Sequence, residues 1–259
     1  MNIPVVTISN FGYLPYVENL RESIRRAGIE WKLIVLCMDT NPAEYCKDRN
    51  IPYFPCKTEA GEEALNFTEH HQDAVNWILF QKLDCLRQFM ITYPQIQEYI
   101  YMDGDIVVFK NFVPYIEQFA RSYDMVFQCD ESITTPTCHS YLPGTVCVNV
   151  CTGFIYMKNT PLIRDILDFR KHIQSIKTFE TDQDYINRMI KGFIKKQQQP
   201  PFSVLRKRVK WTTFPREIIT NGSYLGNLPL GSYILHYNFL VGTNKKKRMQ
   251  ENGHWFITD

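Results

Sequence analysis

Ile3-Pro4-Val5-Val6-Thr7-Ile8 is a short, nearly unbroken apolar run that stops at the turn Asn10-Phe11-Gly12-Tyr13. A strand buried on both faces reads this way, whereas a strand with one wet face alternates apolar and polar residues. Beyond the turn, Tyr16, Val17, Leu20, Ile24 and Ala27 recur at helical spacing until Gly28 stops them. Trp31–Met38 is a second apolar run, Asp39-Thr40-Asn41-Pro42 turns into a short helix, and Ile51-Pro52-Tyr53-Phe54 is a third strand. This β-α-β-α-β alternation predicts an α/β fold with a Rossmann-like, mostly parallel central sheet flanked by helices. Ligands of such sheets bind beyond the carboxyl ends of the strands.

The pattern continues outward. Val75, Ile78, Leu79, Leu83, Leu86 and Met90 mark a long amphipathic helix over Asp73–Met90. Tyr99–Met102, Met125–Phe127, Phe154–Met157 and Tyr233–His236 read as strands, and Pro161–Ile176 and Thr181–Ile190 as helices. Gly61–His71, Asp130–Asn149 and Lys195–Pro201 are polar and read as loops. No internal repeat or linker interrupts the chain, so it is expected to form a single domain over 1–259.

Composition narrows the function. The 259 residues carry 29 Lys and Arg against 27 Asp and Glu, a net charge of +2, which argues against a dedicated nucleic-acid binder. At 44% hydrophobic and 22% charged residues the chain is globular. Its apolar runs are too short to span a bilayer. Taking Met1 as the start, Met1-Asn2-Ile3-Pro4 has no basic segment, long apolar core or cleavage site, which predicts a cytoplasmic protein (the host cytoplasm for a viral one). Eight cysteines without a Cys-x-x-Cys pair read as free thiols, and the group Cys129, Cys138, His139, Cys147 and Cys151 matches no common zinc module. Of the basic runs, Arg206-Lys207-Arg208 lies among Leu205, Val209 and Trp211 and reads as the solvated face of a strand.

The chemistry concentrates in Tyr99-Ile100-Tyr101-Met102-Asp103-Gly104-Asp105-Ile106-Val107-Val108-Phe109. Here an apolar strand delivers two carboxylates, one glycine apart, into the ligand crevice. Close carboxylates repel unless a cation lies between them, and hard oxygen ligands suit Mn²⁺ or Mg²⁺. Gly104 lets the backbone turn and approach a ligand. The plainer reading is an Asp-Gly surface turn. Leu235-His236-Tyr237-Asn238-Phe239-Leu240-Val241-Gly242-Thr243-Asn244-Lys245-Lys246-Lys247 adds a strand-end imidazole as a third ligand and a glycine with lysines that can wrap a diphosphate. Its plainer reading is a core histidine beside a solvated basic run. The two segments together favour the metal. Thr181 reads as a helix N-cap with Asp184 in the capping-box position, leaving Asp182 and Gln183 facing outward toward a polar substrate. Cys151-Thr152-Gly153-Phe154 brings backbone near a ligand or simply bends before a strand.

Thr7–Tyr13, Tyr101–Val108, Cys151–Met157, Thr181–Asn187 and His236–Lys246, in this order, resemble the GT-A-fold glycosyltransferases of the nucleotide-diphospho-sugar transferase group. Members of that group occur in plants, algae, bacteria and large DNA viruses. Phe214-Pro215 followed by Asn221-Gly222 resembles the stretch before the group's final histidine. The resemblance implies a nucleotide-binding half over 1–105 and a sugar- and acceptor-binding half over 106–259. It implies that Thr7, Asn10 and Tyr13 bind the nucleoside, that Asp39 lies near the base and that Lys82 approaches the donor. Asp103 would meet ribose and metal, Asp105 and His236 would complete the metal ligands, and Gly242 and Lys246 would hold the diphosphate. Lys245 and Lys247 leave that register open. Asp182 and Gln183 would act beside the donor sugar. The activity implied is Mn²⁺- or Mg²⁺-dependent transfer from a nucleotide-sugar, a UDP-sugar by resemblance, to a glycan, protein or small-molecule acceptor, with retention. Inversion would instead need a base such as Asp130 or Asp182. Gly61–His71 and Asp130–Asn149 are the expected acceptor loops.

Two other readings compete. A non-catalytic nucleotide-sugar or glycan binder would keep the same ligands. A haloacid-dehalogenase-type phosphatase also uses Asp-x-Asp at a strand end, but there the motif stands near the N-terminus, not at residue 103 after a full β-α-β-α-β block.

Overall fold

The computed structural model describes residues 3–30, 33–58, 72–132, 134, 149–176, 180–191, 209–240 and 242–258. Its first half follows the sequence pattern: β1 (Val5–Ser9), α1 (Leu14–Arg26), β2 (Leu33–Cys37), α2 (Thr40–Asp48), β3 (Tyr53–Pro55), α3 (Gln72–Thr92) and β4 (Glu98–Met102). Then come β5 (Ile106–Val108), α4 (Val113–Ala120), β6 (Met125–Cys129), β7 (Val150–Lys158), α5 (Pro161–Leu167) and α6 (Asp182–Lys191). The chain ends with β8 (Trp211–Thr213), β9 (Ile219–Thr220), β10 (Ile234–His236) and α7 (Gly242–Glu251).

Seven strands form one sheet in the order β3-β2-β1-β4-β7-β6-β8. β1 pairs in parallel with β2 and β4, β2 with β3, and β6 with β8, while β7 runs against both its neighbours. β7 is therefore the one reversed strand of this sheet among those described. Both faces are covered, which is why the strands read as apolar runs. Val6, Ile8 and Ile155 pack with Leu83, Leu86, Ile163 and Tyr185 of α3, α5 and α6 on one face. Val5, Val35 and Val126 pack with Val17, Leu20, Cys46 and Ile116 of α1, α2 and α4 on the other. No described helix is long and apolar enough to cross a membrane.

The structure departs from the sequence pattern in four places. A second sheet, β5-β10-β9, lies over a small cluster of Tyr16, Val107, Leu235, Tyr237 and Met249. Its strands are two or three residues long, too short to carry a period of their own. The expected helix over Pro161–Ile176 breaks at Asp168 into α5 and a 3₁₀ segment, Phe169–Ser175. There the Asp168 carboxylate is held 3.0 Å from Arg87 Nη2. The basic run after Gly242 is a helix, α7, with Lys245 and Met249 buried one turn apart. Finally, Phe127 pairs with Ile155 of β7 while Gln128 pairs with Cys151, so Thr152, Gly153 and Phe154 have no opposite number on β6. Bulges of this kind re-aim side chains beside sites. Of the expected loops, residues 59–71, 133, 135–148 and 192–208 lie outside the described residues, and with them Cys138, His139 and Cys147. The six cysteines described are free.

Candidate active site

β4 ends at Met102, and Asp103-Gly104-Asp105 turns the chain from the large sheet into β5 of the small one. β10 pairs antiparallel with β5 so that His236 lies opposite Ile106, which carries its imidazole to the two carboxylates. His236 Nε2 is 3.2 Å from Asp105 Oδ1 and 3.6 Å from Asp103 Oδ2. Among the described residues, Asp103, Asp105 and His236 are the group able to converge on one metal ion, with one ligand atom from each within 4.8 Å of the others.

The bulge of β7 makes this convergence possible. Gly153 accepts the Asp103 N–H at 2.7 Å and lies so close that a Cβ there would stand 2.1 Å from His236 Cε1 and 2.7 Å from Asp103 Oδ2. Gln128, at the register shift, donates from Nε2 to the Thr220 carbonyl at 2.7 Å. Its Oε1 therefore faces His236 Nδ1 at 2.7 Å, and Nδ1 carries the proton. That turns Nε2 toward the two carboxylates, the ring nitrogen a metal held there would take.

Charge in the site is closely balanced. Asp105 is 2% exposed; burial alone would raise its carboxyl, but Lys245 and His236 hold it well below the usual range. Lys245 Nζ bonds Asp105 Oδ2 and donates to the Tyr13 hydroxyl at 3.3 Å. Asp105 Oδ1 is buried and faces His236 Nε2 at 3.2 Å. Burial works against charge on His236, yet Asp105 and Cys151 raise its imidazole to about 10, so a metal binding at Nε2 would release a proton. Lys82 Nζ lies 2.6 Å from Asp182 Oδ2, 3.3 Å from the Thr152 hydroxyl and 3.9 Å from Asp103 Oδ1. Burial opposes its charge, and Asp103 and Asp182 reverse that, leaving its pKa above the usual lysine value.

The expected capping box closes the start of α6: Asp184 Oδ2 accepts the Thr181 N–H at 3.1 Å, and the Thr181 hydroxyl accepts the Asp184 N–H at 3.1 Å. Asp182, expected to face outward, faces inward instead: it is 3% exposed and accepts the Thr152 hydroxyl at 2.8 Å and the Lys82 ammonium. The carboxylate faces inward because the buried Lys82 ammonium and the Thr152 hydroxyl both find their close partner there, Asp103 lying farther off at 3.9 Å. Gln183 accepts the Thr152 N–H at 3.3 Å and donates to Asp130 Oδ2 at 2.9 Å.

The remaining expected residues fall around this centre. Asn10 Oδ1 accepts the Tyr13 N–H, and Asp39 caps α2 while accepting the Phe11 N–H at 3.0 Å, which ties together the loops after β1 and β2. Thr7 is fully buried in β1 and its hydroxyl has no partner. Gly104 packs under Tyr13, where a Cβ would meet the ring at 3.3 Å. Gly242 opens α7 with φ +58°. Lys246 does not reach the carboxylates: its ammonium lies 5.0 Å over the Trp255 ring, and Lys245 takes the inward position. Sequence reasoning passed over Gln128, Thr152, Phe11 and Asn238 as residues of this region, and it left Lys245 as one of three candidates for the diphosphate. Gln128 gave a signal, a polar residue inside an apolar strand, and so did Gly153 within β7.

A family profile described as nucleotide-diphospho-sugar transferase matches residues 30–250. A search of curated protein sequences gives no match. Among solved structures, the glycosyltransferase GlyE of Streptococcus pneumoniae TIGR4 is similar at TM-score 0.57 and 16% identity, over 100% of this chain and 61% of that one. The chain thus spans less than two thirds of that relative. The galactosyltransferase LgtC, solved with donor and acceptor sugar analogues, is similar at TM-score 0.54 and 10% identity, over 99% of this chain and 98% of that one. Mouse xyloside xylosyltransferase 1 is similar at TM-score 0.51 and 10% identity, over 93% of this chain and 100% of that one. These likenesses establish the GT-A fold, and with the profile spanning most of its length this chain belongs to the nucleotide-diphospho-sugar transferase family.

Proposed function

We propose that the protein is a glycosyltransferase that moves a sugar from a nucleoside diphosphate, uridine diphosphate on family resemblance, to an acceptor hydroxyl in the presence of Mn²⁺ or Mg²⁺. The observation that carries this reading is the convergence of Asp103, Asp105 and His236, one ligand atom of each within 4.8 Å of the others, with His236 Nε2 3.2 Å from Asp105 Oδ1. The donor set of two carboxylates and one imidazole fits a hard divalent cation. When bound there, such an ion acts as a Lewis acid on the diphosphate leaving group.

The chain's own residues supply the rest. Half-exposed Phe11, its backbone pinned by Asp39, offers a ring on which a nucleobase can stack. Lys245 is placed to exchange its Asp105 contact for the departing diphosphate, stabilising charge as it develops. Lys82 holds the Asp182 carboxylate in one position, and Gln183 is fixed at both ends of its amide, so both can orient a donor sugar without rearranging. Retention rests on the likeness of Asp182-Gln183 to the donor-side pair of retaining enzymes. Asp130 favours a second reading: burial raises its carboxyl to about 6, which suits a general base and an inverted product. The anomeric configuration of the product, read by NMR, separates the two.

Hydrolysis of a panel of UDP-sugars with Mn²⁺ tests the proposal. The expected result is turnover of at least one donor, lost with a chelator and in Asp105→Asn. A protein that binds uridine diphosphate but turns over no donor is a binding protein instead.

A further inference from the structure

The bulge of β7 leaves Thr152 outside both of that strand's ladders: pairing with β6 skips from Ile155 to Cys151, and pairing with β4 stops at Phe154 opposite Met102. Its N–H and hydroxyl serve the first turn of α6 instead. The helix docks on this end of β7 through two side chains one turn apart. Asn187 Oδ1 accepts the Val150 N–H at 3.0 Å, and its Nδ2 donates to the Val150 carbonyl at 2.8 Å. Gln183 Oε1 accepts the Thr152 N–H at 3.3 Å. Residues four apart share a helix face, so both contacts come from the same side of α6. The Thr152 hydroxyl, buried with the rest of the residue, donates to Asp182 Oδ2 at 2.8 Å. The Lys82 ammonium reaches that same oxygen at 2.6 Å and the hydroxyl at 3.3 Å. A carboxylate oxygen accepts at about two positions, so Oδ2 is filled, while no described residue bonds Oδ1.

We propose that Thr152 is a positioning residue for Asp182 and Gln183, acting through these two side chains rather than on the donor itself. This rests on the glycosyltransferase reading above. A single partner on Oδ2 would let the Asp182 carboxylate turn and exchange its oxygens. Two partners on one oxygen stop that turn and keep Oδ1 as the acceptor for a sugar hydroxyl. The Thr152 N–H holds the Gln183 amide in the same way, with the other end of that amide on Asp130. The next residue, Gly153, lies against His236 and accepts the Asp103 N–H. One bulge thus sets the spacing between the candidate metal ligands and the groups beside the sugar. Valine has nearly the same shape as threonine, so packing alone does not call for a hydroxyl at this buried position; the bond to Asp182 does.

Thr152→Val and Thr152→Ser, made in the whole chain, test it. NMR of the Asp182 carboxyl carbon is read without any ligand, and turnover is read as hydrolysis of UDP-glucose, UDP-galactose and UDP-xylose with Mn²⁺. Thr152→Val should move the Asp182 resonance and lower kcat about tenfold for the donor that the native protein hydrolyses fastest. Uridine diphosphate affinity should stay within about twofold. Thr152→Ser, which keeps the hydroxyl and loses the methyl, should restore both resonance and kcat. Loss of packing would give the reverse order, with serine the worse variant. Native kcat or an unmoved resonance in Thr152→Val overturns the proposal, and so does a Thr152→Ser chain as impaired as Thr152→Val. A native protein that hydrolyses no donor undoes the glycosyltransferase reading alone, since the carboxyl resonance still decides whether Thr152 holds Asp182.

Discussion

Gly153 shows how little space the site leaves. Replacing its hydrogen by a methyl group puts carbon where His236 Cε1 and the Asp103 carboxylate already stand, so histidine, carboxylate or backbone must move. Gly153→Ala is expected to cost about 1–3 kcal/mol of stability, measured by denaturant unfolding. Displacing the ligands should also lower donor turnover about 100-fold. Asp130 makes a second prediction at this scale. Its folded carboxyl keeps a proton up to about 6, while the unfolded chain releases it near the ordinary value of 3.8. Between these values the folded state binds more protons, so this group's contribution is full below the lower value and is lost as pH rises through the upper. The stability of the native protein relative to Asp130→Asn should therefore fall between pH 4 and 6 and level off above, as unfolding midpoints across that range would show.

At the scale of elements, α7 sets which lysine lies against Asp105. On a helix, residues four apart share a face and consecutive residues diverge by about 100°. Lys245 shares the buried face with Met249 and reaches Asp105, which turns Lys246 onto Trp255. Lys245→Met should reduce donor turnover about 100-fold, the loss typical of removing one stabilising partner of a developing charge. Lys246→Met should stay within about threefold, since its ammonium lies over the Trp255 ring, away from the carboxylates. Equal losses in both variants, measured as kcat/KM for the same donor, would contradict this assignment. The sequence left the register among three lysines open because a run of like residues carries no phase until one of them is buried.

Over the whole molecule, one sheet draws strands from residues 5–102 and 125–213, and the small sheet hangs His236 beside the point where the first stretch ends. Ligand at this junction should stiffen both. At 100 times its dissociation constant, uridine diphosphate with Mn²⁺ should add about 2.7 kcal/mol. For a chain of this size that raises the melting temperature by about 5–10 °C in calorimetry, and a chelator should remove most of the shift.

Residue order alone determined the layered α/β sheet, because strands buried on both faces must be apolar throughout and their helices must show a 3.6 period. It also marked Asp103, Asp105 and His236, since carboxylates and imidazole at strand ends have few structural uses together. Three features waited for the tertiary structure: the inward turn of Asp182 onto Lys82, the contact of Lys245 with Asp105, and the Gln128 contact that orients the His236 ring. Each depends on partners 70 or more residues away in sequence, brought together by the bulge in β7 and the pairing of β5 with β10, and such long-range contacts leave no local period to read.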